Sequence, residues 1–213
     1  MKQTIVISEI LKTSWQSLKS QLWILVGLLI GYMIISFTLS AFAGPTSPTS
    51  FSIGRIIVVY LLSMIIGLIF SLGYLKNLFQ TLDGIEPQFS AYGQQARKIL
   101  TYFVASILVS IVVSIGFMLL IIPGVYLALR LQFFAAFIVE EDAGIIDSIQ
   151  RSWKITEGQV LPLFVLLLTM IGLIILGAIL LLVGVFVTAP LVYMMYCTSF
   201  RKLNTSLLII EEA

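Results

Sequence analysis

The sequence predicts an all-α polytopic membrane protein, with six transmembrane helices arranged as three hairpins and amphipathic helices lying in the interface. Three observations predict this class. Apolar residues make up 60% of the 213-residue chain and charged ones 10%, with a mean hydropathy of +1.11. A soluble domain averages about 45–50% and about 25%, and only a bilayer solvates so much exposed apolar surface. Apolar residues also come in runs near the ~20 that cross about 30 Å of hydrocarbon at about 1.5 Å per residue. Finally, all of the 12 Lys and Arg except Arg55 and Arg130 fall in the N-terminus, two long connections and the C-terminus. By the positive-inside rule those segments, and both termini, are cytoplasmic.

The elements follow in order, within one integral membrane domain covering residues 1–213. Residues 3–20 carry Ile7, Leu11, Trp15 and Leu18 at helical spacing, with Glu9, Lys12, Gln16 and Lys19 elsewhere on the wheel, which predicts an interfacial helix. Spans are expected at about 22–42, 56–75, 99–122, 125–139, 160–183 and 185–200. Ala41-Phe42-Ala43 resembles a signal-peptide cleavage site, but the preceding run exceeds the usual apolar core of roughly 7–15 residues, so an uncleaved helix is expected. Gly27 and Gly31 form a GxxxG pair, and Ser63, Gly67 and Ser71, like Ser106, Ser110 and Ser114, make small-residue stripes suited to helix contacts. Residues 44–50, with two prolines and a glycine, predict a loop. Pro123-Gly124 predicts a hairpin tip, and Gly184 the reversal inside the long apolar run from Gln159 to Phe200. A second interfacial helix is expected at 145–156, with Ile145, Ile149, Trp153 and Thr156 on one face, and residues 203–213 as a short tail.

Residues 7–22 and 145–160 align without gaps, so that Ser14-Trp15 meets Ser152-Trp153 and Gln21 meets Gln159. The expected unit is an interfacial helix followed by a membrane hairpin, used three times, with the middle copy weak.

The chemical inventory is thin. With no His and one Cys, Cys197, there is no disulfide framework, zinc spacing or Cys–His nucleophile pair. No phosphate-binding loop and no intramembrane carboxylate is present, so no catalytic, cofactor-binding or metal-ligating residue is nominated. A net charge of +2 does not suggest nucleic acid. Arg130 is the one ionisable residue well inside a span, where an unpaired charge costs about 2.5–3.5 kcal/mol. It stands about 9 Å past the expected tip and leans toward it, so snorkelling to outer phosphates or a structural role competes with recognition of a lipid or ligand. The partners left to it are backbone carbonyls, Tyr126 one turn back, or an anionic lipid headgroup. Arg151 and Lys154 are candidates for anionic headgroups of the inner leaflet.

The segments PGVYLALR (residues 123–130), the acids Glu140-Glu141-Asp142, DSIQRSWKITEG (residues 147–158) and TAPL before Arg201 resemble the glycerophosphoryl diester phosphodiesterase membrane-domain family and its free-standing YciC-like relatives. The similarity covers residues 89–203, and Arg151, Ser152, Trp153, Thr156 and Gly158 carry its R-S-W-x-x-T-x-G portion. It implies six helices in a bacterial cytoplasmic membrane and no phosphodiesterase activity, because the family's catalytic domain is separate. Asp147-Ser148 replaces the family's usual alanine. The function expected is a non-enzymatic scaffold binding membrane lipids, with anionic headgroups among them, or another membrane protein or itself. The alternative is a small transporter or lipid flippase.

Overall fold

A computed structural model describes residues 5–43, 53–180 and 183–211. Its helices are α1 (Ile7–Ala43), α2 (Ile53–Leu82), α3 (Ser90–Ala96), α4 (Ile99–Leu119), α5 (Ile121–Leu131), α6 (Phe134–Glu141), α7 (Ile145–Ile155), α8 (Val160–Ile179) and α9 (Val183–Glu211). No strand occurs among the described residues. Five stretches are long and apolar enough to cross a membrane: Ile7–Phe42, Ile53–Leu82, Ile99–Leu119, Ile121–Glu141 and Val160–Ile179. The loop expected at 44–50 lies outside the described residues.

Three times a polar helix leads into an apolar one through a residue whose backbone departs from helical values: Gln21 (φ −128, ψ 16), Lys98 (φ −92, ψ 0) and Gln159 (φ −113, ψ 11). The residues seven and three positions before each junction are buried: Ser14 and Leu18, Ala91 and Gln95, Ser152 and Thr156. Each leading helix rests on the last helix of the unit before it, α3 on α2 and α7 on α6. The start of α1 closes the ring on α9, with Ser14 Oγ 2.9 Å from Thr198 Oγ1 and Lys202 Nζ 2.6 Å from Glu9. The three outgoing helices α2, α6 and α9 meet through Phe79, Phe137 and Phe200, with Phe200's ring 5.6 Å and 4.9 Å from the other two.

Several boundaries differ from expectation. The helix expected at 3–20 continues into the first span, and only the kink at Gln21 separates them. The second span extends to Leu82, and the expected tail is helical to Glu211. The α4–α5 tip is Leu120, extended at φ −165 and ψ 160, so the third span ends at Leu119. Pro123 sits in the first turn of α5, where the missing N–H would have no helical partner. Gly124 is needed for closeness: a Cβ there would fall on the Phe117 ring of α4, and one on Gly116 would lie 3.0 Å from Gly124 Cα. Gly184 likewise lies within α9 and packs on Gly177 of α8, so the reversal precedes it. A Cβ at Gly27 or Gly31 would meet nothing within 4 Å among the described residues, so this GxxxG pair brings none of the described helices close.

The fourth span, expected to be continuous over 125–139, is broken between α5 and α6 at Gln132–Phe133. Backbone groups freed in an apolar setting must find partners. Here Ser152 Oγ accepts from Phe133 N at 3.0 Å and donates to Arg130 O at 3.0 Å, while Tyr196 Oη donates to Gln132 O at 2.9 Å. This contact also sets which face of α7 turns inward. Ser148, Ser152 and Ile155 are buried, whereas Ile145 and Ile149 are only partly covered and Trp153 remains 39% exposed. Ser152→Ala leaves the buried Phe133 N–H without its partner and takes one of two hydroxyl donors from Arg130 O, and should lower stability by about 1–3 kcal/mol. Denaturant titration in detergent checks this, and an unchanged midpoint would show that the break is satisfied elsewhere.

Candidate functional site

Arg130, in the last turn of α5, is 4% exposed. Its guanidinium carbon stands 4.2 Å from the ring centroid of Trp153 and 6.0 Å from that of Tyr126. The expectation that it reaches toward phosphates beyond the Pro123-Gly124 tip is therefore corrected. The helix break brings α7 alongside α5, and Arg130 lies over an α7 ring, where a desolvated cation–π contact is worth about 2 kcal/mol. Tyr126 joins this group, its ring edge-on to Trp153 at 6.1 Å.

Arg151 and Lys154 are placed on another face of α7. Arg151 Nε lies 2.8 Å from Asp147, and Nη1 lies 2.8 Å from Glu141. The Asp147 hydrogen bond is the first cause raising its pKa. A shallow pocket of about 390 Å³ includes both bases together with Glu141 and Asp147. Two carboxylates beside two bases leave little net field for an anionic headgroup. The four residues nominated from the sequence thus divide into two places and do not form one site.

The acids expected to extend the fourth span act as a clamp at its end. Glu140 takes Lys76 at 2.9 Å and Arg201 at 2.6 Å, and Glu141 takes Arg151 and Asn204 Nδ2 at 2.6 Å. Asp142 takes Lys98 at 2.6 Å and Arg97 at 3.0 Å.

The feature best suited to a ligand lies between the helices and was not nominated from the sequence. It is a cavity of about 520 Å³ between α1, α2, α4, α6, α8 and α9, within the usual range of ~300–1,000 Å³ for small-molecule sites. Tyr32, Tyr74, Tyr102, Tyr193 and Tyr196 line it, together with Phe70. Tyr32 and Phe70 stack at 4.1 Å and 10°, and Phe70 stacks on Tyr74 at 5.3 Å and 21°. The Tyr74 hydroxyl is buried with no hydrogen-bond partner among the described residues. Beyond the Tyr32–Phe70 pair, which belongs to both linings, a second space of about 500 Å³ runs over Gly27 and Gly31 beside Trp23 and Phe89. Trp23 and Phe89 are 83% and 81% exposed, so this groove opens sideways from the bundle. The available signal was the tyrosines themselves: five of the chain's 8 converge here from four helices.

Fold and cavity together define an all-helical protein with candidate membrane spans and an interhelical, aromatic-lined cavity. The chain belongs to the family described as Domain of unknown function (DUF7847), whose model matches residues 91–211, just over half its length. Neither the curated proteins nor the solved structures give a match.

The Lys98 hydrogen bond, with Arg97 and Lys76 nearby, holds the Asp142 carboxyl below its ordinary pKa. A carboxyl depressed on folding stabilises fully above its unfolded pKa, and that contribution is lost as pH falls through the folded value. Asp142 is 59% exposed, and solvent screening keeps the effect to about 1 kcal/mol or less. Asp142→Asn should lower the thermal midpoint at pH 7, and the gap to the parent should close below about pH 4. A gap of constant size down to pH 3 would contradict the assignment.

Proposed function

We propose that the chain is a non-enzymatic, six-span protein of the bacterial cytoplasmic membrane, with both termini cytoplasmic, that binds lipid in its interhelical cavity. The observation that carries this reading is the tyrosine-lined cavity, walled by helices of all three units and adjoining a groove open to the surrounding lipid. The five apolar stretches supply five spans. The sixth is the part of α9 before Arg201, which is apolar over residues 183–200. The skewed distribution of Lys and Arg supports the orientation. The resemblance of residues 89–203 to the glycerophosphoryl diester phosphodiesterase membrane-domain family and its YciC-like relatives agrees with a membrane bundle lacking phosphodiesterase chemistry.

Native mass spectrometry from nanodiscs tests the reading. The protein should retain lipid after collisional release, and Ala135→Trp, which puts bulk into the cavity wall, should abolish retention without lowering the thermal midpoint. Retention equal to the parent's would sink a lipid site in this cavity. The Tyr32–Phe70 wall shared by cavity and groove favours a second reading, a lipid flippase or small transporter. That reading expects fluorescent-lipid exchange between leaflets of proteoliposomes to exceed the rate in empty vesicles, and equal rates count against it.

A further inference from the structure

We propose that cavity and groove take a single kind of ligand: an uncharged lipid with a flat, carbonyl-bearing ring on an apolar chain, the chemistry of an isoprenoid quinone. This rests on the lipid-binding reading and narrows it. Among the described residues neither lining contains a Lys, Arg, Asp or Glu. A phosphate or ammonium head would be desolvated there without a counter-charge, which strongly disfavours both.

Among the described residues the polar side chains lining the cavity are Ser71 and the five tyrosines, of which Ser71 and Tyr193 are the exposed ones. Tyr74 is 3% exposed, and its hydroxyl has no hydrogen-bond partner among the described residues. A buried donor without an acceptor is costly, and a ligand carbonyl that reached the Tyr74 hydroxyl as its ring turned toward the cavity would remove that cost. A quinone suits such a wall because its ring oxygens accept hydrogen bonds and donate none.

The rings argue for flatness. Tyr32, Phe70 and Tyr74 form a near-parallel series, with interplanar angles of 10° and 21°. A planar ring extends such a stack, whereas a glycerol ester has no face to offer. For the chain, the groove offers Ile35, Ile66 and Ile69 above Gly27 and Gly31, whose missing side chains leave open space.

The test uses the full chain in detergent and follows the thermal midpoint during titration with decylubiquinone, since a ligand bound only by the folded state raises it. Dioctanoylglycerol and a short-chain phosphatidylglycerol are the comparison arms. Saturable stabilisation by decylubiquinone alone is expected. Tyr74→Phe keeps the ring and loses the donor, and should weaken binding roughly five- to tenfold. Gly31→Leu fills the groove at a position where a Cβ would meet nothing within 4 Å among the described residues, so the fold survives while binding falls more than tenfold. Equal affinity for dioctanoylglycerol, or undiminished binding by both variants, overturns the proposal. Binding of phosphatidylglycerol without the quinone overturns it too, yet leaves the lipid-binding reading standing. Binding of no lipid at all removes both.

Discussion

Three consecutive carboxylates at the end of α6 decide how the helices of this protein are held at one end. The C-terminal end of a helix carries partial negative charge, so placing Glu140, Glu141 and Asp142 there is unfavourable unless cations surround them. Each acid faces a different direction around the turn and gathers bases from different elements: Lys76 of α2 and Arg201 of α9, Arg151 of α7, and Arg97 and Lys98 at the start of α4. Isolated exposed pairs contribute little, but Glu140 is only 12% exposed and shares Arg201 with Asp83, making a network. Arg201 also lies 5.4 Å from the ring of Phe79, so the ionic cluster rests directly on the aromatic contact of the outgoing helices. Lys98 donates further to Val139 O at 2.8 Å, satisfying a carbonyl in the last turn of α6. Asp142 adopts φ 54, a left-handed conformation that Asp tolerates better than most residues, and so turns the chain toward α7.

That turn makes the break in the fourth apolar stretch tolerable. The residues of the R-S-W-x-x-T-x-G pattern each have structural work there. Arg151 joins the clamp, Ser152 satisfies the broken backbone, and Trp153 covers the Arg130 guanidinium. Thr156 Oγ1 lies 2.8 Å from Ser152 O and 3.2 Å from Arg130 O, and Gly158 takes φ 75. A pattern of this kind in a chain without evident catalytic chemistry invites a ligand-binding interpretation. Local geometry accounts for these five residues without one.

What the sequence made legible was whatever repeats along a helix. Apolar runs, the amphipathic segments, and the boundary near Gln21 follow from periodicity and from where charge stops, and they reappear in α1, α2, α4, α7 and α8. Glycine and proline were misleading, because each has two uses that sequence does not separate. Gly124 and Gly184 permit close helix approach and do not form turns, while Pro123 starts a helix and does not end one. Arg130 was misplaced for a related reason. Its distance from Pro123-Gly124 is a local quantity, whereas its partner Trp153 arrives through a tertiary break that no local pattern encodes. The tyrosine cavity was invisible because its wall comes from residues 32, 74, 102, 193 and 196, too far apart in the chain for any spacing rule to connect.

The cavity occupies the place where the repeat is least regular. Four residues beyond the three junctions stand Leu25, Tyr102 and Leu163, of which the two leucines are sealed at 0% and 1% exposure and Tyr102 is only partly buried. In the first and third units the outgoing helix, α2 or α9, is continuous, and the leucine packs into the core. In the middle unit the outgoing helix is split into α5 and α6, and α4 with α5 packs chiefly as a pair and against α7. Close packing would make leucine the natural occupant at this position, as it is in the other two copies. A larger, hydroxyl-bearing side chain is accommodated because the split withdraws part of the wall. Eleven residues past the junctions, Tyr32 and Met170 still face the same cavity from equivalent places. Positions equivalent across the junctions thus supply part of the cavity wall, and the one junction followed by a tyrosine four residues on is that of α4, the helix leading into the stretch whose interruption Ser152 satisfies.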